Sequence, residues 1–196
     1  LADSLRNQGS IAFNQRELDT AADFFQRSMA IYETISDQQG VAKCLHNLGS
    51  IAGMQRDMDK AAEFFNKSLD VARQIDDRRG QALTLNNLGS IAGMQRNFEQ
   101  SADYFQQSLA LAQAVGDQFI IADDYGNLGV LAQFQEKPEQ AIEYLQKGLE
   151  IRRNIGDTAQ IAGALSNLGF AYLDAGDARA RSLLVETLNI VELYGV

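Results

Sequence analysis

The decapeptide NLGSIAGMQR stands at residues 47–56 and again, unchanged, at residues 87–96, a spacing of 40. Its opening Asn-Leu-Gly also begins at Asn127 and Asn167, and as Asn-Gln-Gly at Asn7, so five copies of one module fill nearly all 196 residues. A fixed period of this length requires a supersecondary unit that buries its apolar face only against its neighbours. The expected repeats are 1–37, 38–77, 78–117, 118–157 and 158–196, forming a single solenoid over 1–196.

The second module gives the local structure. Val41, Leu45, Leu48, Gly49 and Ala52 recur at helical spacing, which predicts a first helix over about residues 38–55. Asp37 precedes it, and Asp77, Asp117 and Asp157 recur at steps of 40; each can accept backbone N–H bonds as an N-cap. Met58, Ala61, Ala62, Phe65, Leu69 and Ile75 predict a second helix, capped by Asp57 and, in other modules, by Asn97 and Asp177. Pro138, the one proline, falls at a first-turn position where its missing N–H costs nothing. Gly116 and Gly156 suit a left-handed helix end, which Ser36 and Asp76 fill less well. Arg16, Arg56 and Arg96 fall at the ends of first helices, where a cation complements the dipole. Turns this short allow only antiparallel packing.

Gly9, Gly49, Gly89, Gly129 and Gly169 lie inside the first helices, where each costs about 1 kcal/mol against Ala. Close backbone approach has to repay that cost, with Ala61, Ser101 and Ala141 expected to face these glycines. Phe25, Phe65, Phe105 and Leu145 would then fill the space one turn on. The set Leu48, Gly49, Ala52, Ala61 and Phe65, repeated as Leu88, Gly89, Ala92, Ser101 and Phe105, resembles the tetratricopeptide repeat signature, and the resemblance covers essentially the whole chain. The resemblance implies an all-α fold, a right-handed α-solenoid of five antiparallel helix pairs. The family's usual unit is about 34 residues, its third signature position is a bulky aromatic where this chain has alanine except at Tyr172, and its closing proline is absent here; the extra residues of the longer unit resemble one longer turn at the helix ends, as in the subgroup that includes the Leu-Gly-Asn spindle adaptors and is related to kinesin light chains. HEAT-type repeats share the length but not the glycine and Ala-x3-Phe spacing, and a propeller would need strand patterns the sequence lacks.

In solenoids of this family the first helices line a groove that grips extended peptides. Asn47 lies about 150° from the core stripe at about 100° per residue, so it points away from the core. The same position holds Asn7, Asn87, Asn127 and Asn167, while the position four before it varies freely, from Asp3 to Lys43, Leu83, Asp123 and Gly163. A carboxamide both donates and accepts, so these asparagines can form a ladder to a ligand backbone; the competing reading makes each a bridge to the neighbouring module. Lys43, His46, Ser50 and Met54 share this face, as do Leu83, Asn86, Ser90 and Met94, with Phe134 and Phe170 adding apolar surface further along.

Net charge −9 repels phosphate backbones and anionic headgroups, so neither nucleic acid nor membrane insertion is expected. No apolar run reaches the roughly 20 residues of a membrane helix. One cysteine, Cys44, and one histidine, His46, leave no disulfide, His-based metal site or catalytic dyad. No enzyme activity and no cofactor are expected, and cysteine usage fits a reducing cytoplasm. The chain opens on Leu1 rather than Met and is read as part of something longer. Family members that clamp a C-terminal carboxylate use Lys and Arg on the groove, and with only Lys43 and Arg6 matching, that clamp is not expected. The expected function is a scaffold binding a protein or peptide. The alternatives are self-association through uncapped terminal repeats, where Leu183, Leu184, Leu188 and Val191 end the chain after a one-residue shortening near Gly176 to Ala180, and the effector-sensing part of a larger regulator.

Overall fold

In a computed structural model describing residues 1–194, those residues form ten α-helices and no strand. The helices are α1 (Ala2–Asn14), α2 (Leu18–Thr34), α3 (Gln38–Met54), α4 (Met58–Gln74), α5 (Arg78–Met94), α6 (Phe98–Val115), α7 (Gln118–Phe134), α8 (Pro138–Ile155), α9 (Thr158–Asp174) and α10 (Arg179–Tyr194). The last two positions of the fifth repeat lie outside the described residues. The chain divides into two compact units, Leu1–Gln95 and Arg96–Val196. Within the first, each helix packs on the next, and the first helices α1, α3 and α5 also touch in series; within the second, α7 and α9 do the same.

The joints between helices follow one design. Asp37, Asp57, Asp77, Asn97, Asp117 and Asp157 each accept a backbone N–H from the first turn of the helix they precede, as the spacing predicts. The preceding residue takes a left-handed conformation at Arg16, Ser36, Arg56, Asp76, Arg96, Gly116, Glu136, Gly156 and Gly176, one every 20 residues. Behind it, in most joints, the cap's own N–H reaches back five residues, as from Asp57 to Ala52 C=O at 3.0 Å and from Asp77 to Ala72 C=O at 2.9 Å, the bond that closes a Schellman turn. One residue thus ends one helix and starts the next. Arg16, Arg56 and Arg96 are therefore turn residues with φ of 61–63°, besides sitting at helix ends.

The internal glycines answer to aromatic rings. A Cβ on Gly9 or Gly49 would lie 2.8 Å from the ring of Phe25 or Phe65, and on Gly129 it would lie 2.5 Å from Leu145. The nearest atoms to Gly9 and Gly49 belong to the large side chains themselves, and Gly129 meets both Leu145 and the Ala141 carbonyl. Phe25, Phe65 and Leu145 are buried in consequence, each 16 residues after its glycine. Gly169 meets Leu184, only 15 residues on. Gly176 keeps the 20-residue step, but α10 starts at Arg179, and Ala180 takes the buried place held by Ala141 in α8. The shortening read from the sequence is thus taken up in the first turn of α10. Buried Ser28 and Ser68 add a register lock, donating to Ala2 C=O at 2.8 Å and Ala42 C=O at 2.9 Å.

These contacts give one substitution opposite signs at two glycines. Gly163→Ala on the exposed face of α9, where an added Cβ meets nothing within 4 Å, should stabilise by about 1 kcal/mol through helix propensity. Gly49→Ala gains the same term but drives a methyl into Phe65, and should destabilise by about 1–2 kcal/mol net. Urea unfolding of both variants checks this; equal signs would remove the packing role of Gly49.

Candidate functional site

The first helices α1, α3 and α5 present one continuous surface within the first unit. A cleft of about 300 Å³ lies on it, lined among others by Arg6, Lys43, His46, Asn47, Arg79 and Leu83. Of the residues expected to contact a ligand, this cleft brings together Lys43, His46, Asn47 and Leu83. Lys43 is exposed and has no ion-pair partner among the described residues. Arg6 is half-buried; its Nη2 lies 3.7 Å from an Asp3 carboxylate oxygen, and its Nε is enclosed without a hydrogen-bond partner. Arg79 adds a third cation, and Asp77 is the only carboxylate on the lining. Sequence reasoning missed Arg79, because nothing in the repeat pattern marks its position as facing Arg6 and Lys43 across neighbouring helices.

His46 forms the floor. Its ring lies edge-on to Phe65 at 5.4 Å between centroids. Nδ1 is 3.3 Å from Thr84 Oγ1, and that hydroxyl donates to Gly80 C=O at 2.8 Å. Nε2 is 3.3 Å from Asn87 Nδ2. The directions are consistent with one tautomer only: Nδ1–H donates to Thr84, and Nε2 accepts from Asn87. Burial holds the imidazole neutral, pushing its pKa down to about 4. His46 is thus an inter-helix bracket, and not only a polar edge of the groove.

The five asparagines are not equivalent. Asn7 and Asn167 are exposed; Asn47, Asn87 and Asn127 are half-buried. Asn87 spends an N–H on His46 of the preceding module, whereas Asn47 and Asn127 bond to no other described residue. The 150° estimate from the core stripe therefore overstates how far these side chains stand out, because the neighbouring first helix rises beside them. Ser50 and Ser90 return their hydroxyls to their own helices, at His46 C=O and Asn86 C=O, 3.2 Å each. Met54, Met94, Phe134 and Phe170 are exposed. None of them lines the cleft, and Phe134 stacks on Phe98 at 6.0 Å. Cys44 is fully buried, and burial pushes its thiol pKa up, which suits packing rather than reactivity.

Among the described residues no group of three His, Cys, Asp or Glu side chains is placed to hold a metal ion, and no helix is long and apolar enough to cross a membrane. Serially packed helix pairs with a surface built from the first helix of each define a helical-repeat protein. The tetratricopeptide repeat model matches residues 1–74 and 80–154, and the chain belongs to that family. No curated protein matches the sequence. Among solved structures, BtubC (BKLC) from P. vanneervenii is 22% identical with a TM-score of 0.87, covering 100% of this chain and 81% of that one. A Podosopora anserina protein with nearly identical TPR-like repeats, assigned as a kinesin light chain, is 13% identical with a TM-score of 0.75, covering 96% of this chain and 93% of that one. A Rap protein complexed with Competence and Sporulation Factor is 15% identical with a TM-score of 0.84, and this chain, 96% covered, spans about half (53%) of its length. At these identities the likeness is one of fold.

The bracket has a pH signature. The unfolded chain protonates His46 near its ordinary value of 6.5, while the folded chain resists until about 4. Between these values the unfolded state binds more protons, so stability falls as pH falls, by up to about 3 kcal/mol. His46→Gln, which can still donate to Thr84 and accept from Asn87, should lose that part of the slope. Urea unfolding of both proteins from about pH 7 to about pH 4.5 reads the difference; parallel curves would contradict the buried neutral imidazole.

Proposed function

We propose that this chain is a protein-interaction scaffold whose cleft on α1, α3 and α5 binds an extended, acid-bearing peptide segment. The observation that carries this reading is the convergence of Arg6, Lys43 and Arg79 around a half-buried Asn47 with no internal partner, on a chain of net charge −9. A local cationic cleft on an otherwise anionic protein draws carboxylates to that one place. In this reading Asn47 supplies a donor and an acceptor to the ligand backbone, Lys43 and Arg6 meet its acidic group, and Leu83 contacts an aliphatic neighbour. Asn87 braces the cleft through His46 instead of contacting ligand, and Asn127 is the comparable contact in the second unit. The likeness to a Rap protein complexed with Competence and Sporulation Factor supports a binding role for this fold.

An unbiased peptide array followed by titration tests this. Asn47→Ala should weaken every acidic binder by about tenfold to a hundredfold, the equivalent of about 1–3 kcal/mol for lost hydrogen bonds at a partly desolvated site, with little change in melting temperature. Lys43→Glu should weaken binding comparably and flatten its salt dependence, while Asn87→Ala should lower stability first. Binders indifferent to both Asn47→Ala and Lys43→Glu would overturn the assignment of this cleft.

A further inference from the structure

In the second unit the module pattern breaks at positions that meet in one place. Arg152 of α8 stands where the earlier modules carry the buried Ala72 and Ala112. Across from it, Gly126 of α7 replaces Arg6, His46 and Asn86, and Gly163 of α9 replaces Asp3, Lys43, Leu83 and Asp123. An added Cβ at either glycine would meet nothing within 4 Å, so neither lies under a neighbour's side chain as Gly49 does. Together these exchanges leave a pocket of about 110 Å³ between α7 and α8 of the fourth module and α9 of the fifth, with Leu145, Leu149 and Ala164 as its apolar wall.

The polar end of this pocket is rich in donors and balanced in charge. Arg152 Nη2 donates to Asp123 Oδ1 at 2.6 Å and Nη1 to Gln160 Oε1 at 2.8 Å, and the arginine side chain is only 15% exposed. A guanidinium carries five N–H groups; those not spent on these two contacts have no partner among the described residues, and neither do the Gln160 amide nitrogen and the Asn167 side chain. An oxygen entering here therefore meets several N–H donors. Because Asp123 already neutralises Arg152 and would repel a second carboxylate, an uncharged oxygen is favoured over a charged one. The volume is that of about four waters in the liquid, at about 30 Å³ each, which a short aliphatic stem ending in a carboxamide fills. We infer that this pocket is a second binding site, one that takes the side chain of a glutamine. Its methylene groups lie against Leu145 and Leu149, its carbonyl oxygen accepts from Arg152 and Gln160, and its amide nitrogen donates to the Asn167 carbonyl. That the glutamine belongs to a peptide rests on the scaffold reading above; the chemistry of the pocket does not.

Titration of the 196-residue chain with propionamide, the glutamine side chain without its backbone, tests that chemistry by nitrogen–proton correlation NMR. Shifts centred on the amides of Gly126, Gly148 and Gly163 and a millimolar Kd are expected of so small a ligand, with propionate weaker by about tenfold. Gly163→Leu, which restores the residue type of Leu83 and fills the space, should abolish binding while the melting temperature holds or rises. Asp123→Asn should reverse the preference in favour of propionate. A pentapeptide with one central glutamine among alanines, blocked at both ends, should bind about tenfold tighter than propionamide, and Lys43→Glu in the other cleft should leave that affinity unchanged. Absence of shifts at these glycines, or shifts that survive Gly163→Leu, overturns the site. A parent chain that prefers propionate, or a preference that Asp123→Asn does not reverse, overturns the uncharged ligand. A pentapeptide no tighter than propionamide overturns the peptide source and makes the ligand a free small amide, and one weakened by Lys43→Glu overturns the independence of the two sites.

Discussion

The structure depends on a single kind of joint. A left-handed residue turns the chain, and in most joints the next residue's N–H reaches back five positions to close the helix behind it while its side chain caps the helix ahead. Because the joint recurs every 20 residues, helix length, the antiparallel return and the phase of each apolar stripe are set together. The glycine-to-ring contacts can then repeat at a constant 16-residue offset. Where a left-handed residue is not glycine, as at Arg56 and Asp76, the joint spends about 1 kcal/mol of backbone strain, which the capping and closing bonds of Asp57 and Asp77 offset.

Much of this was legible because the repeat samples each position five times. The Asp and Asn caps, the first-turn proline and the internal glycines all carry residue types that physical chemistry restricts, so their recurrence at fixed steps could mean little else. The left-handed position was legible only where glycine occupies it. Arg56 and Arg96 gave no such signal, since arginine suits a helix end for reasons of charge as well. Which side chain sits nearest each glycine was less legible, because sequence periodicity orders residues around one helix but does not say which neighbour on the next helix meets them.

The functional surface was harder to read for the opposite reason. Its deciding features occur once: His46 between Thr84 and Asn87, and Arg6, Lys43 and Arg79 around one cleft. A recurring asparagine suggested five equal contacts. One histidine in the preceding module is enough to turn Asn87 inward, while Asn47, with no such partner, stays available. The constant framework and the variable surface thus divide the sequence between them, with recurrence marking the framework and departures from it marking the places where this chain differs from any other solenoid of its family.

If the joints govern the fold, the amide that closes each of them has to be as well protected as the interior of a helix. Native-state hydrogen exchange at the Asp57 and Asp77 amides measures this directly. Protection within about tenfold of the buried amides of Ala61 and Ala82, equivalent to about 1.4 kcal/mol in opening free energy, is the result this account predicts. Exchange at the rate of an open loop, with the flanking helices still protected, would mean that the helices hold their arrangement without the joints, and would contradict it.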